Sequence, residues 1–322
     1  VKQLSDELWQ LYEDEVLPLY RGFEKLRARL RPAMKRSRRL VQCFMFMAIV
    51  PVIVLLIADH DSLPEWVQIS AVIMLLGCGL SAGVIWHAGK KNRFTLAEAR
   101  AGAFFPPIGN AFGQDIELLR DEADLDPFHD LIGIGISVGA DDDDEAFVPT
   151  HAHTFSEDRF QMQANVSAKN TLIVVHGLTY IPGIITIAPR RESGRRIRHH
   201  GEGKTISFGE DPEFRNSLEC RCTIPVPAGR YMNPDVRESF QLLLDVTAPS
   251  RAVFQLQRHR LLIMLDRGCS LGFPTNPESL TPPESIFRAV VEDAAFLHDI
   301  WTAFRGSALA TTSPFPEQET MA

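Results

Sequence analysis

Cysteine is scarce in this chain of 322 residues: five are present, too few and too scattered for a disulfide scaffold. The 21 glycines and 21 prolines follow no period, which excludes a collagen-like or low-complexity chain. Charge is missing altogether from two long stretches, Leu40 to Ala58 and Trp66 to Trp86. No small-x-small cleavage pattern follows Ala58, and 39 mostly polar residues precede the first stretch, so a signal peptide is not expected. The overall 45% hydrophobic and 23% charged content is ordinary globular usage, but it averages over a very uneven distribution.

The two uncharged stretches are 19 and 21 residues long. As helices rising ~1.5 Å per residue, each spans about 30 Å, the thickness of a bilayer hydrocarbon core. Trp66 and Trp86 stand at the two ends of the second, where amphipathic rings favour the headgroup level. The seven residues between the stretches, Asp59 to Glu65, hold three acids and no Lys or Arg. Before the first stretch, Arg21 to Arg39 carry nine Lys/Arg against the single acid Glu24, and Lys90, Lys91, Arg93 and Arg100 follow the second. Lys and Arg near membrane ends stay on the cytoplasmic side. The expectation is a two-pass hairpin with both termini cytoplasmic and residues 59–65 outside. Gly79 and Gly83 form a G-x-x-x-G pair that would let another helix approach closely, either the first helix or one from a second copy.

Residues 4–30 place Leu4, Leu8, Leu11, Tyr12, Val16, Leu19, Tyr20, Phe23, Leu26 and Leu30 at helical spacing, which predicts an amphipathic helix whose basic end runs into the membrane. Such a cluster sets topology and would also attract anionic headgroups. Thr95-Leu96-Ala97-Glu98 has the form of a capping box opening a short helix, which Pro106-Pro107 would end, and Gln114 to Ala123 suggest another. Residues 101–158 hold 14 acids and one basic residue, Arg120. The run Asp141 to Glu145 reads as a solvated loop.

From residue 159 short β-rich segments follow: Phe160–Val166, Thr171–Leu178, Ile184–Ala188, Leu218–Ile224, Ala252–Gln257 and Arg260–Leu265. Asn233-Pro234 is an N-cap followed by an N1 proline, opening a helix to Val246. Thr281-Pro282-Pro283-Glu284 opens a closing helix to about Phe304, with Ile286, Val290, Phe296 or Leu297, and Ile300 inward. Strands followed by helices predict an α+β domain.

Four stretches together resemble the bacterial membrane-protein family catalogued as domain of unknown function 3137. They are YEDEVLPLYRGFEKLRARLRPAMKRSRRL at the N-terminus, the hairpin itself, VVHGLTYIPGIITIAPRR, and DPEFRNSLECRCTIPVPAGRYMNPDVRESFQLLLD with the closing helix. The last is the most specific, through Asp211-Pro212-Glu213-Phe214, Arg230-Tyr231 and Asn233-Pro234. The resemblance implies a bacterial, membrane-anchored protein. It brings no catalytic residue, cofactor or partner.

Three constellations carry possible chemistry. Gly135-Ile136-Ser137-Val138-Gly139 fits the nucleophile elbow of α/β-hydrolases, with Ser137 as nucleophile and His176-Gly177 as an oxyanion-loop pair. Four aspartates stand where the elbow needs a helix, His176 follows the serine instead of preceding it, and βαβ repeats are lacking. His151 and His153 alternate on a strand, so two imidazoles would face one way as candidate divalent-metal ligands with the Asp141–Asp144 run, but carboxylates in such a run lack fixed geometry, no third ligand is evident, and no metal or cofactor is expected. Arg190, Arg191, Arg195, Arg196, Arg198 and Lys204 form the basic patch of the soluble domain, suited to an anionic partner such as the inner leaflet. With no aromatic platform or recognised motif, a nucleic-acid partner is not expected.

The resulting expectation is an α+β cytoplasmic domain attached to a two-helix transmembrane hairpin, with a long N-terminal amphipathic helix. Its segments are residues 1–39 (basic helix), 40–87 (hairpin, helices 40–58 and 66–86), 88–158 (helical connector with acidic loop), 159–305 (soluble domain) and 306–322 (disordered tail). The function expected is that of a non-enzymatic module at the inner membrane, binding a protein or anionic lipid and open to homo-oligomerisation. The alternatives are a membrane-anchored serine hydrolase using Ser137 and an oligomeric channel or transporter component.

Overall fold

The computed structural model describes residues 5–57, 64–119, 149–167, 170–189, 204–206, 218–223, 232–248, 252–268 and 281–311. It is an α+β protein with two long packed N-terminal helices, an antiparallel sheet and C-terminal helices. Two compact units are formed, one from Ser5–Ala103 and one from the described parts of Phe104–Thr275 and Pro282–Ala322.

In the helical unit, α1 (Asp6–Leu11) is capped by the Ser5 side chain, which accepts from Leu8 N. A π-helical turn, Tyr12–Val16, leads into α2 (Leu17–Ile57). The wider turn brings Tyr12, Val16 and Tyr20 into line at a spacing of four, and all three are buried while Leu19 is exposed. From Tyr20 a row of buried and half-buried positions of α2 recurs every three or four residues: Tyr20, Phe23, Arg27, Leu30, Met34, Ser37, Val41, Phe44, Ala48 and Pro51, with Glu24 and Leu26 half-buried beside it. That is a coiled-coil seam with a heptad repeat. The opposing helix, α3 (Glu65–Phe112), has a matching seam with more small residues in it: Ala71, Leu75, Cys78, Ala82, Ile85, Gly89, Leu96, Arg100 and Ala103. A Cβ at Gly89 would lie 3.7 Å from Ser37 Cβ, which sets the register of the antiparallel pair. Counting outward from that contact puts Leu40 level with Trp86.

α3 is one helix of 48 residues, not the separate helices expected from its sequence. Thr95 caps nothing; its Oγ1 bonds back to Lys91 O, as an interior threonine does. The seam continues through it, so packing overrides the local capping signal. Pro106-Pro107 do not end the helix either. Each removes one backbone donor, yet the next turn holds because Phe104, Phe105 and Ile108 are buried. The helix stops one turn later in a Schellman motif: Gln114 N donates to Gly109 O at 2.9 Å, Gly113 N to Asn110 O at 3.4 Å, and Gly113 adopts φ +63°. A Cβ at Gly109 would meet Gln114 O at 2.6 Å, so only glycine admits this reversal. After it the chain forms a strand, not the helix expected over 114–123.

In the sheet unit, seven described strands pair antiparallel. They are β1 (Asp115–Leu118), β2 (Pro149–Glu157), β3 (Phe160–Ser167), β4 (Thr171–Pro189), β5 (Lys204–Ile206), β6 (Leu218–Cys222) and β7 (Ala252–Leu265). β4 and β7 pair along their whole lengths and form the spine. β3, β2 and β1 extend the sheet from the first half of β4, while β6 and β5 extend it from the second half. The sequence suggested two strands in place of β4 and two in place of β7. Each pair is one strand bent at a bulge, where the register shifts between His176 and Ile184 and Arg258 takes φ +51°. Gly177, at φ +97°, makes the bend possible, because a Cβ there would overlap the Arg159 carbonyl oxygen of the β2–β3 turn.

One face of the sheet packs on α4 (Pro234–Thr247), α5 (Pro283–Gly306) and the short α6 (Ala308–Thr311). Asn233 caps α4 as the sequence indicates, its Oδ1 accepting from Val236 N at 2.9 Å. In α5 the N-cap is Pro282, one residue after the Thr281 that the sequence offers as the opening residue. Ile286, Val290, Leu297 and Ile300 point inward as expected. Phe240 meets Phe254 edge-on at 5.5 Å, and Phe160 meets Phe304 likewise at 5.3 Å. Residues 308–311, assigned to the tail by composition, are helical: Leu309 is buried and Ala308 N donates to Ser239 Oγ of α4.

Candidate functional site

Between residues 40 and 86 the helical unit is apolar on its outside. Among the described residues, the exposed large hydrophobic side chains all lie between residues 40 and 86, except Leu19, Tyr180 and Leu242. Phe46, Leu56, Trp66, Leu80 and Val84 are each 70% exposed or more. Water-facing surface of this size is rare on monomeric proteins, and each such side chain left in water forgoes about 1.5–3 kcal/mol of burial. The inside of the hairpin holds the smaller residues of the α3 seam, so large and small are distributed opposite to a soluble coiled coil. Among the described residues one helix, over 66–112, is long and apolar enough to cross a membrane. Only 11% of its most apolar window is buried within the protein, which separates it from a soluble core helix.

This apolar belt ends in a collar of cations. Lys35, Arg36, Arg38 and Arg39 of α2 and Lys90 and Lys91 of α3 are exposed, and the Ser37–Gly89 contact sets the two groups at one level. Arg93 turns back over the Trp86 ring, 4.8 Å from its centroid, so a cation and an amphipathic ring share the belt's edge. Farther from the belt, Tyr20, Glu24, Arg27 and Arg100 cluster on the seam. Arg27 bonds Glu24 at 3.1 Å. Burial, then the hydrogen bond and charge of Glu24, push the Tyr20 hydroxyl up to about 12, and burial lowers Arg100. Gly79 and Gly83 lie off the seam, and a Cβ at either would meet no other part of the protein within 4 Å. They therefore do not join the two helices of the hairpin. Gly89, which the sequence did not single out, holds the close-packed place; its spacing of one heptad from Ala82 was the available signal.

In the sheet unit the structure brings His151 and His153 together. Both are fully buried on the α5-facing side of β2, ring centroids 5.1 Å apart, rather than at the edge of a solvated loop. Gln114 Nε2 donates to Ala294 O of α5 at 3.3 Å, which leaves Oε1 to face His153 Nδ1 at 2.9 Å. An amide oxygen only accepts, so Nδ1 carries the proton and Nε2 holds a bare lone pair, buried without a partner. Burial brings His151 down to about 4 and His153 well below its usual range, with the neighbouring His151 adding to the effect. Phe105 lies against His151 at 5.6 Å, and the Phe112 carbonyl accepts from His298 Nδ1 at 3.1 Å. Two neutral histidines thus tie the last turns of α3 to β2 and α5. No group of three or more His, Cys, Asp or Glu suited to a metal ion occurs among the described residues.

His176 lies elsewhere, exposed at the bend of β4, in register with Gln161 of β3 and Arg260 of β7. Partial burial, then the Arg260 charge, lower its pKa. Ser137, the acidic run Asp141 to Glu145 and Arg190, Arg191, Arg195, Arg196 and Arg198 fall outside the described residues. Of the basic patch, only Lys204 is placed, at the start of β5. Cys220 and Cys222 are buried, unoxidised, on β6. No protein-family model, curated protein or solved structure matches the chain.

Proposed function

We propose that the chain is a non-enzymatic membrane module: a two-pass hairpin in the bacterial inner membrane holding an α+β domain at the cytoplasmic face, where it binds a protein or anionic lipid. The observation that carries this reading is the outward apolar belt of α2 and α3, bounded at one level by Leu40 and Trp86. Lipid tails are the medium in which such a surface is stable, and a hairpin whose small residues face inward needs no aqueous core. The cationic collar at the base of both helices, and the lack of Lys or Arg in the 59–65 connection, support this orientation. Gly79 and Gly83, facing outward, leave a patch on which a second copy would pack. The resemblance to the domain-of-unknown-function 3137 family agrees with an anchored bacterial protein. A reporter enzyme fused after Ala322 tests the orientation. Activity only for a reporter that works in the cytoplasm supports the reading, and activity only for one that works outside it contradicts it.

A further inference from the structure

Resting on that membrane reading, we infer that the collar contains a defined binding site for the phosphate headgroup of an anionic glycerophospholipid, on the outer side of α2. A groove of about 470 Å³ is lined there by Pro32, Lys35, Arg36, Arg39, Leu40 and Cys43. These positions are spaced by three or four residues, so they form one stripe, and all six are exposed, on the side of α2 away from the Met34–Ser37–Val41 seam. Chemistry changes along the stripe. Three cations lie together at one end, while Leu40 and Cys43 at the other begin the uncharged run. A phospholipid has the same polarity, a phosphate followed by acyl chains, and would lie along the groove in the direction in which the hairpin enters the bilayer. Pro32 lines the cationic end of the groove and offers no N–H to the preceding turn. Lys90 and Lys91 stand at the same level on α3 and raise the positive potential around the groove without lining it. A free phosphate would satisfy the cations but not the apolar half.

The test uses the full chain reconstituted into phosphatidylcholine bilayers that contain spin-labelled phosphatidylglycerol or spin-labelled phosphatidylcholine. The immobilised fraction of each label is read by electron spin resonance. The expected result is at least about fivefold selection of the anionic label, the factor of one cation near a charged surface. Selection falls toward one in the Lys35→Gln/Arg36→Gln/Arg39→Gln variant and persists in Lys35→Arg/Arg36→Lys/Arg39→Lys, which keeps the charges. It is unchanged when Arg190, Arg191, Arg195, Arg196 and Arg198 are all replaced by Gln. Undiminished selection in the Lys35/Arg36/Arg39 Gln variant overturns the site, as does loss of selection in the five-arginine variant alone. Displacement of the lipid by inorganic phosphate at constant ionic strength overturns the lipid assignment. A chain that floats with vesicles but selects neither label contradicts this inference only, whereas a chain that does not float with vesicles at all contradicts the membrane reading beneath it.

Discussion

His153 donates its Nδ1 proton to Gln114 Oε1 across 2.9 Å, and that one bond sets the tautomer of a fully buried imidazole. It also ties the turn after α3 to β2, because the other end of the Gln114 amide holds the Ala294 carbonyl of α5. The arrangement needs a neutral ring. A proton on Nε2 would be buried without an acceptor.

Stability should therefore depend on pH. The folded-state pKa of His151 lies near 4, below the unfolded value of about 6.5, and that of His153 is lowered as well. Between those two pH values the unfolded chain binds more protons, so stability rises with pH there. The contribution is complete above about pH 6.5 and is lost as the pH falls toward 4. For His151 the shift corresponds to about 3 kcal/mol. The thermal midpoint of the full chain in detergent should drop between pH 7 and pH 5. His151→Leu should flatten that slope. An identical slope in the variant would contradict the assignment.

Gly177 should tolerate no side chain. Its φ of +97° and the neighbouring Arg159 carbonyl both act against a Cβ, so Gly177→Ala should cost more than about 2 kcal/mol in chemical denaturation. Gly102→Ala, at a helical position with nothing within 4 Å, is the control and should be neutral or slightly stabilising.

Register in the hairpin is open to crosslinking. The 3.7 Å between Ser37 Cβ and a Cβ at Gly89 matches the separation across a disulfide, about 3.5–4.5 Å. In a chain whose own five cysteines are replaced by serine, Ser37→Cys/Gly89→Cys should close within one chain on mild oxidation and run faster on a non-reducing gel. Ser37→Cys/Gly83→Cys should not. The opposite pattern would show that the G-x-x-x-G pair, not Gly89, faces α2.

What was legible in the sequence follows from how far each signal reaches. The uncharged runs and the Asn233-Pro234 helix start are local, and the structure shows helix at each. Other signals were local too but lost to packing. Thr95 and Pro106-Pro107 look like a start and a stop, yet the heptad seam through Leu96, Arg100 and Ala103 and the burial of Phe104, Phe105 and Ile108 carry α3 past both. The Schellman glycine Gly113 was the true stop signal, hidden because Pro106-Pro107 offered an earlier one. His151 and His153 were seen to share a strand face, but their burial depends on Gln114, 39 residues before His153, and on α5 far along the chain, which periodicity cannot report. The bends in β4 and β7 read as strand ends because a bulge and a gap look alike in one dimension.

The most direct test of the two-pass reading is cysteine labelling in intact bacterial cells, in the chain freed of its own cysteines. Ser62→Cys, in the connection between the apolar runs, and Ser313→Cys, beyond α6, are treated with a membrane-impermeant maleimide. The account predicts that Ser62→Cys is labelled in intact cells and that Ser313→Cys is labelled only after the inner membrane is permeabilised. Labelling of both positions before permeabilisation, or of Ser313→Cys alone, would contradict it.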